Sequence, residues 1–187
     1  MDDREYEQLL QYAKQFSGVT EDMENTLQGL YEHVKPHMAE VTDSFYTVLL
    51  DIPKAEPFLL NRLDALKETH IRWMESVFSG PFDLDYVKAM YRVGDVHVKA
   101  ELPVEFMAGS MALITTRLHQ LLGTILKDEP EKLIESVSAV NAILGFTLMV
   151  MQQSYESSRL AEELEKFLKI TGMSRTLFDN LASAYKE

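Results

Sequence analysis

The sequence predicts an all-helical domain, and three observations carry that prediction. Gly and Pro are few, 8 and 6 in 187 residues, and they punctuate long stretches rather than short ones. Within those stretches apolar residues recur at spacings of three and four, the period of one helix face. Nothing resembles a series of strands alternating every second residue between regularly spaced turns. The length suits one domain with an additional element at either end, and a hydrophobic fraction of 46% supplies a core.

The elements follow in order. A leading helix fits Asp3 to Phe16 and is ended by Ser17 and Gly18. Thr20 caps a second helix running towards His37, with Met23, Leu27, Leu30 and Val34 as its apolar stripe and a bend expected at Lys35, because Pro36 follows it. A third helix carries Phe45, Tyr46, Leu49 and Leu50. Pro53 and Pro57 break it and start the next, expected to run unbroken to Phe78 before the turn at 79–81. The helix after Asp83 holds Tyr86, Val87, Met90, Val93 and His97, and Pro103 suits the first turn of the one that follows. Asp128, Glu129 and Pro130 then separate the last two long helices.

Those two helices carry long apolar stripes. Met107, Met111, Ile114, Leu118, Leu121 and Ile125 form one; Leu133, Val137, Val140, Leu144, Thr147 and Met151 form the other. Ile134, Ile143, Phe146 and Val150 lie off the second stripe and are also apolar. A helix apolar on more than one face must bury more than one face. Either it runs through the middle of the domain or it meets a second copy of itself, and the pattern is read here as a homodimer through the last two long helices. The charged segment after Tyr155 reads as a helix leaving the globular body. The expected organisation is an N-terminal helical extension over 1–18, a main domain over 19–155, and a C-terminal helical extension or linker over 156–187.

Composition excludes several function classes. The formal net charge is −12, from 18 Lys and Arg against 30 Asp and Glu, and no basic stripe appears, so nucleic acid and anionic membranes are poor partners. The absence of Cys excludes disulfides, thiolate metal sites and thiol chemistry. The N-terminus is acidic and mixed, unlike a secretory signal, and the most apolar stretch, 139–151, is too short to span a bilayer, so a cytoplasmic location is expected. No phosphate-binding glycine loop, HExxH or GxSxG is present, and nothing identifies a catalytic acid–base pair, so catalysis is not expected of this segment.

Five histidines remain: His33, His37, His70, His97 and His119. His33 and His37, four apart on one helix, form a possible metal pair but read as a solvated face without a third ligand. His119, among Arg117 and Gln120, reads as a surface residue. His97 lies in a mainly apolar segment, YRVGDVHVKAELPVEF at 91–106, and has two readings. It is a core histidine satisfied by backbone groups, or it is a metal or haem ligand. A haem needs an axial base and an apolar cavity, and an all-helical chain rich in Met and Phe is compatible with both.

The order of three pieces sharpens the choice: DSFYTVLL at 43–50, LDALKETHIRWMESVFSG at 63–80, and YRVGDVHVKAELPVEF. A Tyr in one helix, a later Trp-containing helix, then R-hydrophobic-G-x-x-H-V and a Pro resemble the globin domain of globin-coupled sensors and their single-domain relatives, the protoglobins. The likeness covers about residues 20–155. It implies an all-α, globin-like helical fold with an additional N-terminal helix and an extended C-terminal helix, and haem b as cofactor. It further implies an oxygen sensor that binds dioxygen or another diatomic gas and signals through its dimer interface to an output module. Such a module, if linked, lies outside these residues. Alternatives are a stand-alone protoglobin-like protein with gas-handling or enzymatic activity, and a haem-free helical signalling scaffold.

By the same resemblance His97 is the proximal iron ligand. Tyr46 is the distal hydroxyl donor, with a core aromatic as its plain alternative. Leu66 and Thr69 match pocket positions, the one excluding water and the other supporting the ligand or Tyr46. Phe45, Phe58, Phe78, Val93, Val98 and Met107 are candidates for the haem wall. Gly94 lets backbone approach another helix or the ring edge. Two departures stand out. Ala100 and Glu101 replace the Ile-Gly pair of many relatives, which affects the corner into the next helix. His70, beside Thr69, is a possible second axial ligand.

Overall fold

The computed structural model describes residues 1–184, so the last three residues of the expected 156–187 extension lie outside the described residues. Nine α-helices and no strand occur among those described. They are α1 (Asp3–Ser17), α2 (Glu21–Val34), α3 (Met38–Leu50), α4 (Glu56–Leu59), α5 (Leu63–Ser79), α6 (Leu84–Lys99), α7 (Val104–Ile125), α8 (Pro130–Thr171) and α9 (Arg175–Ala184).

Local chemistry starts and stops these helices. Asp2 and Glu5 form a reciprocal capping box at the head of α1, and Gly18 ends it at φ 71, a conformation that costs glycine nothing. The Thr20 hydroxyl accepts from the Met23 amide at 3.3 Å, as expected of a cap. Asp83 caps α6 by accepting from the amides of Asp85 and Tyr86. The second helix stops at Val34, and Lys35–His37 tighten into a 3-10 turn around Pro36.

The expected continuous helix from Pro57 to Phe78 is instead two helices. The chain breaks at Leu60–Arg62, where Asn61 takes φ 60. Asn enters the left-handed region more readily than other side-chain-bearing residues, and a single such residue ends a helix. The break matters because it sets the direction of α5 independently of α4.

The core is organised around α8. This helix packs against α1, α2, α6 and α7 within one chain. Ala139, Val140, Ile143, Leu144, Phe146, Thr147 and Val150 are all fully buried or nearly so, and they face every side of it. Each such large apolar side chain contributes roughly 1.5–3 kcal/mol by leaving water. The apolar residues off the main stripe are therefore covered by α8's own neighbours, and a second copy is not needed to explain Val140, Ile143, Phe146 or Val150. By length and composition α8 is also apolar enough to cross a membrane, which the 139–151 stretch taken alone is not; half of its apolar window is buried in the protein.

A polar tie crosses this apolar centre. The Tyr86 hydroxyl of α6 and the Thr147 hydroxyl of α8 lie 2.8 Å apart, both buried, so each satisfies the other. Helix α1, the additional N-terminal element, lies across α6 and α8. It buries Leu9 and Ala13, sets Tyr6 edge-on to Tyr91 at 5.3 Å, and pairs Asp3 with Lys88 at 2.6 Å. Past Tyr155, α8 continues without a break to Thr171, and α9 folds back on it through Phe167–Phe178 and Arg175–Glu165.

Candidate functional site

A cavity of about 460 Å³ is walled by α3, α5, α6 and α7, with the α4 segment and Met151 of α8 completing it. That size falls within the range of small-molecule and cofactor sites. Helix α3 contributes Phe45, Tyr46 and Leu49. Helix α5 contributes Leu66, Thr69, His70 and Trp73, whose spacings of three and four keep them on one face. Helix α6 contributes Val93, Val96 and His97 from the same kind of face, and α7 contributes Met107, Met111 and Ile114.

His70 sits in an aromatic nest. Trp73 stacks on it at 5.2 Å, while Phe45 and Tyr46 meet it edge-on at 4.8 and 5.7 Å. Its Nδ1 is buried without a hydrogen-bond partner, and burial pulls its pKa down to about 4. His97 shows the same signs on α6, with an unpartnered buried Nδ1 and a pKa lowered by burial. Desolvation penalises the charged imidazolium, so both rings are neutral at pH 7 and keep a lone pair on one nitrogen. The reading of His97 as a core histidine satisfied by backbone groups is not met, because its Nδ1 has no partner.

Burial raises the Tyr46 pKa to about 12, which keeps the phenol protonated and able to donate. Thr69 differs from expectation. Its hydroxyl donates to the Ala65 carbonyl at 2.9 Å and accepts from Arg72 at 3.3 Å, so its proton is already engaged at an exposed position. Phe45, Tyr46, Phe58, Leu66, Thr69, His70, Val93, His97 and Met107 all lie on the cavity wall.

Phe78 and Val98 do not line the cavity; both are buried elsewhere in the protein. Each residue turns a helix by about 100°, so Val98 leaves the face that His97 occupies and points away from it. Phe78 lies one to two turns past Trp73, on the side of α5 that carries Met74 and Val77. Both are core residues of the kind their apolarity alone predicts.

Trp73, Arg62, Arg92, Val96, Met111, Ile114 and Met151 join the wall without having been singled out in the sequence. Met111 and Ile114 follow Met107 at helical spacing, and Arg92 opens the R-x-G-x-x-H segment, so a signal existed for these. Nothing local marks Arg62, and Met151 is marked only as the end of the α8 apolar stripe, not as a cavity residue. The other histidines stand apart: His33 is exposed, while His119 is half-buried beside Asn141 of α8 rather than on the surface. Among the described residues no cluster of three or more His, Asp or Glu side chains could hold a metal ion.

The end of α6 carries the departure at Ala100–Glu101. The Leu102 amide donates to the His97 carbonyl at 3.0 Å and the Glu101 amide to the Val98 carbonyl at 2.8 Å, the paired bonds of a Schellman ending. Glu101 occupies its left-handed position, at φ 55, where glycine is usual. Gly94 is explained by packing: a Cβ there would stand 2.6 Å from the Met151 carbonyl of α8. It serves close helix approach, not a ring edge.

An all-helical bundle enclosing one apolar cavity between histidine-bearing helices is a globin-like architecture. The chain belongs to the protoglobin family, whose profile, described as Protoglobin, matches residues 6–161. Among solved structures it is similar to the globin domain of the Geobacter sulfurreducens globin-coupled sensor, at 28% identity and a TM-score of 0.70, covering 78% of this chain and 96% of that one. It is also similar to the globin domain of E. coli DosC in its ferric form, at 17% identity and TM-score 0.64, covering 81% of this chain and 97% of that one. The ferrous form of the same domain gives 20% identity and TM-score 0.60, covering 79% and 98%. At those identities the DosC structures bear on the fold alone. No curated protein matches the chain.

Proposed function

We propose that this chain is a haem b-binding sensor domain that takes up dioxygen or another diatomic gas and passes the event to an output module through a homodimer. One observation carries the reading: two neutral histidines with no side-chain partner, His70 and His97, line one apolar cavity from different helices, with a protonated tyrosine beside His70. Family membership supports it, and the description of the DosC domain as ferric and ferrous supports an iron cofactor in that relative. Haem b, when bound, supplies an iron centre that takes a diatomic gas.

The residues then divide the work. His97 would hold the iron through one ring nitrogen, its helix anchored by the bonds that end α6 and by close contact with α8. Tyr46 would offer its protonated hydroxyl as a hydrogen-bond donor to the gas, which favours dioxygen over the weaker acceptor carbon monoxide. Leu66, Phe45 and Met107 exclude water. His70, from another helix of the same cavity, has an unpartnered ring nitrogen and would be able to hold the iron in competition with gas.

Signalling would run from α6 into α8. The Tyr155 hydroxyl donates to the Leu102 carbonyl at 2.6 Å, so the corner after His97 is tied to the segment where α8 leaves the body. The homodimer is drawn on the outer strip of α7 and α8, where Ile134 is 67% exposed. The test is the visible absorption spectrum of protein purified with haem available, with resonance Raman for the Fe–His stretch. The parent should give a globin-type spectrum, and His97→Ala should lose stable haem or the Fe–His band. A parent without haem, or a His97→Ala spectrum identical to it, would overturn the reading.

A further inference from the structure

The cavity wall contains two ionised side chains, Arg62 and Arg92, and no Asp or Glu. In a chain with 30 acidic residues against 18 basic ones, that is the reverse of the general charge balance. Among the described residues neither guanidinium has an ion-pair partner, although Lys14, Lys67, Lys88, Arg159 and Arg175 all do. The two come from different walls, Arg62 from the start of α5 and Arg92 from α6. Both are exposed, whereas the interior wall, including Phe45, Tyr46, Met107 and Ile114, is buried and apolar. The cavity is thus apolar within and cationic at its mouth.

Arg62 is also partly preorganised. One of its terminal nitrogens donates to the Phe58 carbonyl at 3.0 Å, which holds the side chain near the cavity and leaves other N–H groups free. A guanidinium offers a planar fork that matches a carboxylate in two parallel hydrogen bonds, which an ammonium cannot do. An occupant that satisfies this arrangement is flat and apolar over most of its area and carries carboxylates on the edge that faces solvent.

We propose that Arg62 and Arg92 pair with the two propionate groups of a bound haem, retaining the cofactor and setting which edge of it faces solvent. The assignment rests on the haem reading above. These are positioning residues: they act on the periphery of the cofactor and leave the His97 ligand untouched. Because both sites are exposed, each pair should be modest in strength and sensitive to salt.

The test is the rate of haem transfer to excess apomyoglobin, measured for the parent, Arg62→Gln, Arg92→Gln and the double variant. Each is loaded with haem b or with haem dimethyl ester, whose propionates carry no charge. Each single variant should lose haem b roughly two- to fivefold faster, and the double variant about tenfold faster, with a smaller difference at high salt. Loaded with the ester, the double variant and the parent should release it at the same rate. Arg92→Lys should recover only part of the loss, and Arg4→Gln, an exposed arginine of α1, should change nothing. Circular dichroism of the apoproteins reports whether each variant folds. Haem b loss unchanged in the double variant, or equal acceleration with the ester, would overturn the assignment while leaving the haem reading intact. A parent that takes up neither compound would overturn both.

Discussion

The Ser154 hydroxyl of α8 donates to the Asp95 carboxylate of α6 at 2.6 Å, and the same oxygen accepts from Ser158 at 2.7 Å. Asp95 lies two residues before His97, and Ser158 lies in the part of α8 that runs beyond the body of the bundle. Asp95→Ala removes the acceptor and leaves the fully buried Ser154 hydroxyl to fall back on its own helix. The variant should lose about 1–2 kcal/mol, read as a lower urea midpoint. Asp95→Asn keeps an acceptor oxygen and should lose less. Equal losses in the two variants would mean that this hydrogen bond is not what the carboxylate contributes.

Glu101 should be improvable. At φ 55 its side chain sits in a conformation that costs a non-glycine residue about 1–2 kcal/mol. Glycine relieves that cost and gives back part of it through a freer unfolded chain. Glu101→Gly is expected to stabilise by roughly 0.5–1 kcal/mol, visible as a raised thermal midpoint. A lowered midpoint would show that the Glu101 side chain makes a compensating interaction.

Apoprotein stability should fall in mild acid. The His70 pKa is about 4 when folded against 6.5 exposed, so between those values the unfolded chain takes a proton that the folded one refuses. Stability is therefore full above pH 6.5 and declines as pH falls towards 4, by about 3 kcal/mol from this residue at full effect. Urea titrations at pH 7 and 4.5 check this. His70→Phe should shrink the difference, and a parallel decline in parent and variant would assign the acid sensitivity elsewhere.

If Tyr46 donates to the gas, Tyr46→Phe should speed dioxygen release by roughly tenfold to hundredfold, from about 1.5–3 kcal/mol of charge-assisted bonding. Carbon monoxide release should change far less. Flash photolysis and stopped flow measure both. Equal effects on the two gases would leave Tyr46 as a packing residue.

The dimer and the core are separable by where a charge is placed. Phe146 is fully buried within one chain, so Phe146→Glu should unfold the protein, because an unpaired carboxylate in an apolar interior is costly. Ile134 is exposed, so Ile134→Glu should leave circular dichroism unchanged and convert a dimer to monomer in analytical ultracentrifugation. A parent that sediments as a monomer at tens of micromolar would exclude the homodimer.

Much of the site was legible because its signals are local. Tyr46, Leu66, His70, Val93, His97 and Met107 were reached from helical spacing, from residue chemistry and from the resemblance those pieces carry, and all six line one cavity. Two helix ends were legible for the same reason: Gly18 and Thr20 act on backbone groups within a few residues, whereas the caps at Asp2 and Asp83 emerged only with the structure. The sequence by itself therefore determined most of the helices, their order and the chemistry of the groups available, but not the break at Leu60–Arg62 or the separate helix α9. Tertiary structure decided which apolar residues face a cavity and which face the core. Phe78 and Val98 match the wall residues in kind, and only the way α5 packs on α2 and α3, and α6 on α8, sends them elsewhere. The same holds for the off-stripe residues of α8, whose pattern fits a central helix and a dimer helix equally well. The close approach of α6 at Gly94 and the packing of α1, α2 and α7 cover them within the chain. Hydrophobic patterning states how much surface must leave water; it carries no direction, and the partner that covers each face is set by contacts between residues distant in the chain.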